Sequence, residues 1–192
     1  MGFSITWLAV REEASEKLLQ SLGLSPTGET EEFPESLITT ARLDTGWRVI
    51  WYNKYGCPFL QPQDLSRNSI DHDDVLLCLV EEHVMASSCE MWSGGKRKWW
   101  LSHEGESGPT GLSTEGELPV PFPAIRRDME QLQTAEGDNA GVDYIFDIPS
   151  KVAQALVGFK HDEECPHLAD KHYVVMSRTV PPGGFLRRLV GK

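Results

Sequence analysis

Apolar residues recur along the chain at two spacings, every second position in some stretches and every third or fourth position in others. The first spacing is typical of strands and the second of amphipathic helices. Strands are predicted at residues 3–10, 37–43, 47–52, 75–92, 98–103, around 112, 143–148 and 172–177. Helices are predicted at residues 11–22, 64–68, 121–136 and 151–157. Runs of strands with helices between them predict an α+β fold, with a mostly antiparallel sheet and about three helices packed on one face.

Turn residues separate these elements. Residues 44–46 and residues 93–96 each contain glycine between two strand-like stretches, which predicts two hairpins. Residues 25–35 combine prolines, a glycine and glutamates, which predicts a solvated loop. Ser150 is the predicted N-cap of the helix that follows it. We expect one domain over residues 1–180 and a basic tail at 181–192, which docks on the acidic body, stays disordered or meets a partner.

Composition and charge narrow the class of protein. The chain has 192 residues, of which 40% are hydrophobic, as in ordinary globular domains. Its 29 acidic residues exceed its 18 basic ones, giving a formal charge of -11 that argues against nucleic-acid binding. No apolar stretch approaches the roughly 18 residues of a membrane span, and no signal peptide is recognisable. Four cysteines without a paired motif predict no disulfide framework, so we expect a cytoplasmic protein.

Metal-ligand residue types are densest between residues 161 and 167. His161, Glu163, Cys165 and His167 all lie there, and imidazole, carboxylate and thiolate groups are zinc ligands. Such a cluster is the basis for one hypothesis, a metal-assisted hydrolase. The spacing matches no established zinc motif, however, and a solvated acidic loop is the favoured interpretation. We therefore expect neither a metal nor another cofactor.

A second candidate pair follows the apolar core, residues 75–80, of the predicted strand 75–92. Glu81 and His83 share one face of a strand, where a carboxylate beside an imidazole can act as an acid–base pair. The same pair can equally be a simple hydrogen bond at a sheet edge. No nucleophile or cofactor motif accompanies it, so the structural interpretation is favoured and catalysis is not expected.

Two adjacent tryptophans stand out in the second predicted hairpin. Trp99 and Trp100 are consecutive in a strand, so their side chains must lie on opposite faces of the sheet. One of them is then expected to meet solvent or a second chain. Exposed tryptophan beside basic residues has the composition of an interface anchor.

The hypothesis that fits these observations best is an acidic protein-binding domain, of the kind that neutralises a basic toxin or enzyme as an immunity protein does. Acidic surfaces attract basic partners and speed their association. The candidate partner-binding acids lie in predicted loops and are Glu31, Glu32, Asp71, Asp73 and Asp74. The alternatives are the metal-assisted hydrolase and a structural or regulatory module without a catalytic site. The sequence does not specify an oligomeric state.

Overall fold

The computed structural model describes residues 2–69, 74–106, 111–136 and 141–179. Within these ranges, nine strands form one antiparallel sheet and four α-helices pack against it. The strands are β1 Ser4–Arg11, β2 Leu24–Glu31, β3 Ile38–Arg42, β4 Trp47–Tyr52, β5 Val75–Glu81, β6 Ala86–Ser93, β7 Lys96–Glu104, β8 Leu112–Gly116 and β9 Tyr173–Arg178. The helices are α1 Glu12–Ser21, α2 Pro62–Asn68, α3 Phe122–Glu136 and α4 Ile148–Val157. The predicted α+β fold with a mostly antiparallel sheet is confirmed.

The sheet order is β2-β9-β3-β4-β1-β5-β6-β7-β8, which places β1 at its centre. Trp7 and Ala9 of β1 point into the core that α3 and α4 cover, whereas Leu8 and Val10 point into a second core with α1 and α2. All four side chains are buried. The prediction that the helices pack on one face is therefore wrong, because the central strands are apolar on both faces and each face needs a cover.

Residues 25–35 form a strand over most of their length, and the prediction of a loop is wrong there. β2 pairs with β9 as an edge strand, with a register shift between Pro26 and Thr30. After Leu24 the strand is exposed or only half-buried, so it shows no alternation of apolar and polar residues. Its composition resembles that of a loop because water covers it on most sides.

The predicted strand at 143–148 is also wrong. A single 3₁₀ turn occupies Ile145–Asp147, and α4 begins directly after it at Ile148. Asp143 explains the turn, since its Oδ1 accepts hydrogen bonds from the amides of Ile145 and Phe146. Ser150 consequently lies inside α4 rather than at its N-cap, and its hydroxyl donates to the carbonyl of Asp147.

Two connections lie on the side of the sheet that α4 covers. β2 and β3 both pair antiparallel with β9, so they run parallel to each other and the connection 32–37 crosses β9. The second connection, residues 159–172, leads from α4 to β9 and is tied to β3 by a bridge between Leu43 and Leu168. These two connections form the walls of the cleft described below.

Among the described residues, no helix has the length and apolar character needed to cross a bilayer. The predicted basic tail, residues 181–192, lies outside the described residues.

Candidate functional site

A cleft of about 800 Å³ opens between the connections 32–37 and 159–172. This volume lies within the range of ordinary ligand sites in proteins. Aromatic, aliphatic and charged side chains share its surface. Its lining consists of Phe3, Glu32, Phe33, Pro34, His161, Asp162, Glu163, Glu164, Cys165, Pro166, Leu168, Lys171 and Tyr173.

Carboxylates dominate the charged part of the cleft. Glu32 comes from the β2–β3 connection, and three consecutive acids at 162–164 come from the opposite wall. Among the described lining residues, the one lysine is Lys171. Glu32 and Glu164 are exposed, and within the described part of the chain neither side chain has a hydrogen bond or an ion pair. The cleft is therefore a region of negative potential with two uncompensated carboxylates.

Lys160 lies behind this wall and fixes part of it. Its ammonium group lies 2.6 Å from both carboxylate oxygens of Asp162, and 3.6 Å from an oxygen of Asp147 and one of Glu163. Burial by itself lowers the pKa of Lys160, but the hydrogen bond to Asp162 and the neighbouring negative charges outweigh it and raise that pKa. Burial by itself raises the pKa of the Asp162 carboxyl group, but the same bond and the neighbouring charges together outweigh burial and lower that pKa. Both groups are thus held in their charged forms.

His161 is the most unusual side chain of the cleft. Its side chain is only 1% exposed, yet neither ring nitrogen has a hydrogen-bond partner among the described residues. The nearest carboxylate oxygens belong to Asp162, 3.7 Å from Nδ1, and to Glu82, 3.9 Å from Nε2. Phe3 packs edge-on against the imidazole with 5.1 Å between ring centroids. Burial lowers the pKa of His161, so the ring is neutral at pH 7, with one unmet N–H and one unmet lone pair.

The residues proposed as metal ligands divide between two places. His161, Glu163 and Cys165 line the cleft, whereas His167 hydrogen-bonds Asp44 in the β3–β4 turn, 2.8 Å away. In the described ranges, no three histidine, cysteine or acidic residues are grouped so that they could hold a metal ion. Burial also raises the pKa of Cys165, whose thiol faces the carbonyl of Gly158 at 3.6 Å. A protonated thiol is a poor nucleophile and a poor ligand.

Glu81 and His83 are hydrogen-bonded at the surface, with 2.7 Å between Oε1 and Nδ1. Glu81 also accepts a hydrogen bond from the hydroxyl of Ser4, and these two bonds lower the pKa of its carboxyl group. The pair joins the end of β5 to the start of β1. Glu81 is thus an ionised acceptor with two donors. Of the two interpretations considered from sequence, this arrangement corresponds to the structural one.

Among the acids proposed for partner binding that the structure describes, Asp74 lies away from Glu31 and Glu32. Glu31 is half-buried and accepts hydrogen bonds from the amide and hydroxyl of Ser36, so it shapes the β2–β3 connection. Glu32 lines the cleft. Asp74 precedes β5, whose first residue pairs with Val10 at the end of β1 away from Phe3. Asp71 and Asp73 lie outside the described residues.

The two tryptophans of β7 do differ in environment. Trp99 is buried in the core that α3 and α4 cover, and Trp100 is half-buried. The guanidinium of Arg97 lies 5.6 Å from the ring centroid of Trp100. β7 is separated from β3 by four strands, so Trp100 lies away from the cleft.

The sequence did not identify several residues that form the cleft. Asp162 and Glu164 lie in the segment 161–167 but were not proposed as site residues, and Phe3 and Phe33 belonged to a predicted strand and a predicted loop. Phe33 is 64% exposed, which is uncommon for so large an apolar side chain. Its place beside uncompensated acids depends on the crossing of β9, which the sequence pattern does not encode.

Comparisons with protein-family models, curated proteins and solved structures returned no match for this chain.

Proposed function

We propose that this protein is an acidic protein-binding domain that receives a basic partner in the cleft between residues 32–37 and 159–172. The observation that carries the proposal is the joint presence of uncompensated Glu32 and Glu164 with the exposed ring of Phe33 in one concave surface. Negative charge steers and orients a basic partner, and an exposed aromatic ring supplies apolar area that is buried on contact.

Inhibition of a basic toxin or enzyme, in the manner of an immunity protein, is the specific role that we propose for such a cleft. An inhibitor of this kind must associate quickly, and attraction between opposite charges raises association rates. The formal charge of -11 favours this behaviour over the whole surface. We place the protein in the cytoplasm as part of the same proposal.

A metal-assisted hydrolase is less well supported. His161 has no orienting hydrogen bond among the described residues, Cys165 is held as a thiol by burial, and His167 pairs with Asp44 outside the cleft. A nucleophile and base that work together need to be within hydrogen-bond distance of each other. The binding proposal uses the same cleft and needs no such arrangement.

Photo-crosslinking in extracts of the cells that produce the protein tests the proposal. A benzoylphenylalanine is placed at Phe33 and, as the control, at Val120, which is 95% exposed beyond β8. We expect a basic protein to be captured from position 33 and not from position 120. The adduct should be lost when the Phe33 variant also carries Glu32→Lys and Glu164→Lys.

A matched charge reversal makes the result specific to the cleft. Glu13 lies on α1, on the other face of the sheet, and Glu117 follows β8 at the far edge; both are exposed. The Glu13→Lys and Glu117→Lys pair should leave the adduct unchanged. Absence of an adduct, an adduct that survives reversal in the cleft, or equal loss with both pairs would each contradict the proposal.

A further inference from the structure

The unmet polar groups of His161 indicate what enters the cleft. A buried donor or acceptor without a partner costs about 1–3 kcal/mol, and a ligand that supplies the partner removes that cost. His161 lines the cleft, and its side chain is 99% buried with both nitrogens unmet among the described residues. The neutral ring offers a lone pair, which is an acceptor for an N–H group of the ligand.

The charges around this acceptor select a cation. Asp162 and Glu163 are already compensated in part by Lys160, whereas Glu32 and Glu164 are not. An anion would meet four lining carboxylates, and a neutral ligand would leave the two free ones without a counter-charge. A ligand that carries positive charge and several N–H donors satisfies both the carboxylates and the imidazole.

The aromatic walls favour a guanidinium group over an ammonium group. Phe3, Phe33 and Tyr173 line the cleft together with the acids. A guanidinium is planar and weakly hydrated, stacks on aromatic rings and presents five donors, whereas an ammonium is a compact and strongly hydrated charge. The three-carbon stem of arginine also has apolar surface that packs on such rings.

We propose that the cleft receives an arginine side chain of the basic partner, whose guanidinium group donates hydrogen bonds to His161 and to the carboxylate of Glu32 or Glu164. This assignment rests on the proposed function and adds the identity of the group that is recognised. His161 then selects the ligand through its ring acceptor. That acceptor has no hydrogen-bond partner among the described residues of the free protein.

Titration of the full chain with short peptides tests the assignment. The probes are acetyl-Gly-Arg-Gly-amide, its lysine counterpart, and its citrulline counterpart, which has the same shape without the charge. The readout is the nitrogen and proton NMR signals of the imidazoles, with those of His161 assigned by their absence in His161→Gln. We expect saturable shifts at His161 with the arginine peptide, about tenfold weaker binding of the lysine peptide, and no saturable shift with citrulline.

Variants and a free ligand complete the test. Glu32→Gln with Glu164→Gln should weaken the arginine peptide about tenfold, and the exposed pair Glu13→Gln with Glu117→Gln should not change its affinity. Equal binding of the citrulline peptide, or no shift at His161 with the arginine peptide, would overturn the assignment. Tighter binding of n-butylguanidine, a free alkylguanidine with the same single charge, than of the peptide would also overturn it by indicating a small-molecule ligand.

The failure of this inference is distinguishable from the failure of the proposed function. If a basic partner is captured at Phe33 and lost on charge reversal in the cleft, while the arginine peptide leaves His161 unaffected, the proposed function stands and the arginine assignment is wrong. If neither result is obtained, both are wrong.

Discussion

At the scale of single residues, two consecutive side chains of one loop differ in their charge state. Lys160 and His161 are both buried, but within the part of the chain that the structure describes, Lys160 has carboxylates within hydrogen-bond and ion-pair distance and His161 has none within hydrogen-bond distance. Burial disfavours a charged form in both cases. Compensation keeps Lys160 charged, and the lack of it keeps His161 neutral. The two side chains therefore respond differently to pH and to substitution.

His161 should make the protein less stable in mild acid. Its folded pKa is lowered, while in the unfolded chain it takes its ordinary value of about 6.5, so protons bind preferentially to the unfolded state as pH falls below that value. The contribution is fully present above about pH 6.5 and is lost as pH falls toward the folded pKa. The groups that face the ring are Lys160 and Asp162 beside it, Asp147 before α4 and Glu82 after β5.

Urea unfolding between about pH 5.5 and 7 measures this slope. We expect the free energy of unfolding of the wild-type protein to decrease as the pH is lowered through this range. His161→Gln should remove most of that decrease. His172→Gln, at a half-buried position before β9, should keep the wild-type slope. An unchanged slope in His161→Gln would show that this side chain does not carry the effect.

Lys160→Met should destabilise the protein by about 2 kcal/mol. Removing one partner of a buried ion pair leaves the others uncompensated, and the value is reduced here because Asp147, Asp162 and Glu163 are 33–47% exposed. Lys171→Met, at an exposed position of the same loop, is the control and should change stability by less than about 0.5 kcal/mol. Thermal and urea unfolding at neutral pH give both values. Equal stability of the two variants would contradict this view of Lys160.

The sequence drew attention to this loop but not to the role of each residue. Ligand-type side chains are dense between 161 and 167, yet the interpretation favoured from sequence was a solvated acidic loop. Whether His161 is exposed or buried depends on Phe3, which packs on the imidazole and precedes β1, far away in the chain. No local pattern carries that information.

At the scale of elements, periodicity located most of the sheet because the central strands are buried, but the single strand predicted at 75–92 is two antiparallel strands, β5 and β6. β4 matches its predicted bounds, and β1 and α3 are displaced by one residue at most at either end. β2 was missed because an exposed edge strand has no apolar face to reveal it. The 3₁₀ turn before α4 was missed because its cause, Asp143, acts through backbone amides and a distant histidine.

Asp143→Ala should destabilise the protein by about 2 kcal/mol. Asp143 holds the start of the turn through its Oδ1 and lies 2.8 Å from Nε2 of fully buried His103 in β7 through its Oδ2. Asp143→Asn keeps one acceptor oxygen and should lose less. Asp128→Ala on the exposed side of α3 is the control. If urea unfolding shows equal stability for Asp143→Asn and Asp143→Ala, or for Asp143→Ala and the wild type, this role of Asp143 is contradicted.

At the scale of the whole molecule, the proposed binding depends more on where the charges lie than on their total. The sequence predicted an acidic surface, and its total of -11 is plain from composition. Which acids share a surface depends on the crossing of β9 by residues 32–37 and on the path of residues 159–172. That is why Glu32 joins the acids at 162–164, while Asp74 lies at the other end of the sheet.

We propose that a basic partner recognises the cleft itself and not only the net negative charge of the protein. The association rate of the partner captured at Phe33 with purified full-length variants, measured over a range of salt concentrations, tests this proposal most directly. Each Glu→Lys change removes one negative charge and adds one positive charge, so Glu32→Lys with Glu164→Lys and Glu13→Lys with Glu117→Lys both move the formal charge from -11 to -7. We predict that the pair in the cleft slows association about tenfold at low salt and flattens its salt dependence, while the other pair has less than about a twofold effect. Equal slowing by the two pairs would contradict the account, because association would then follow net charge alone.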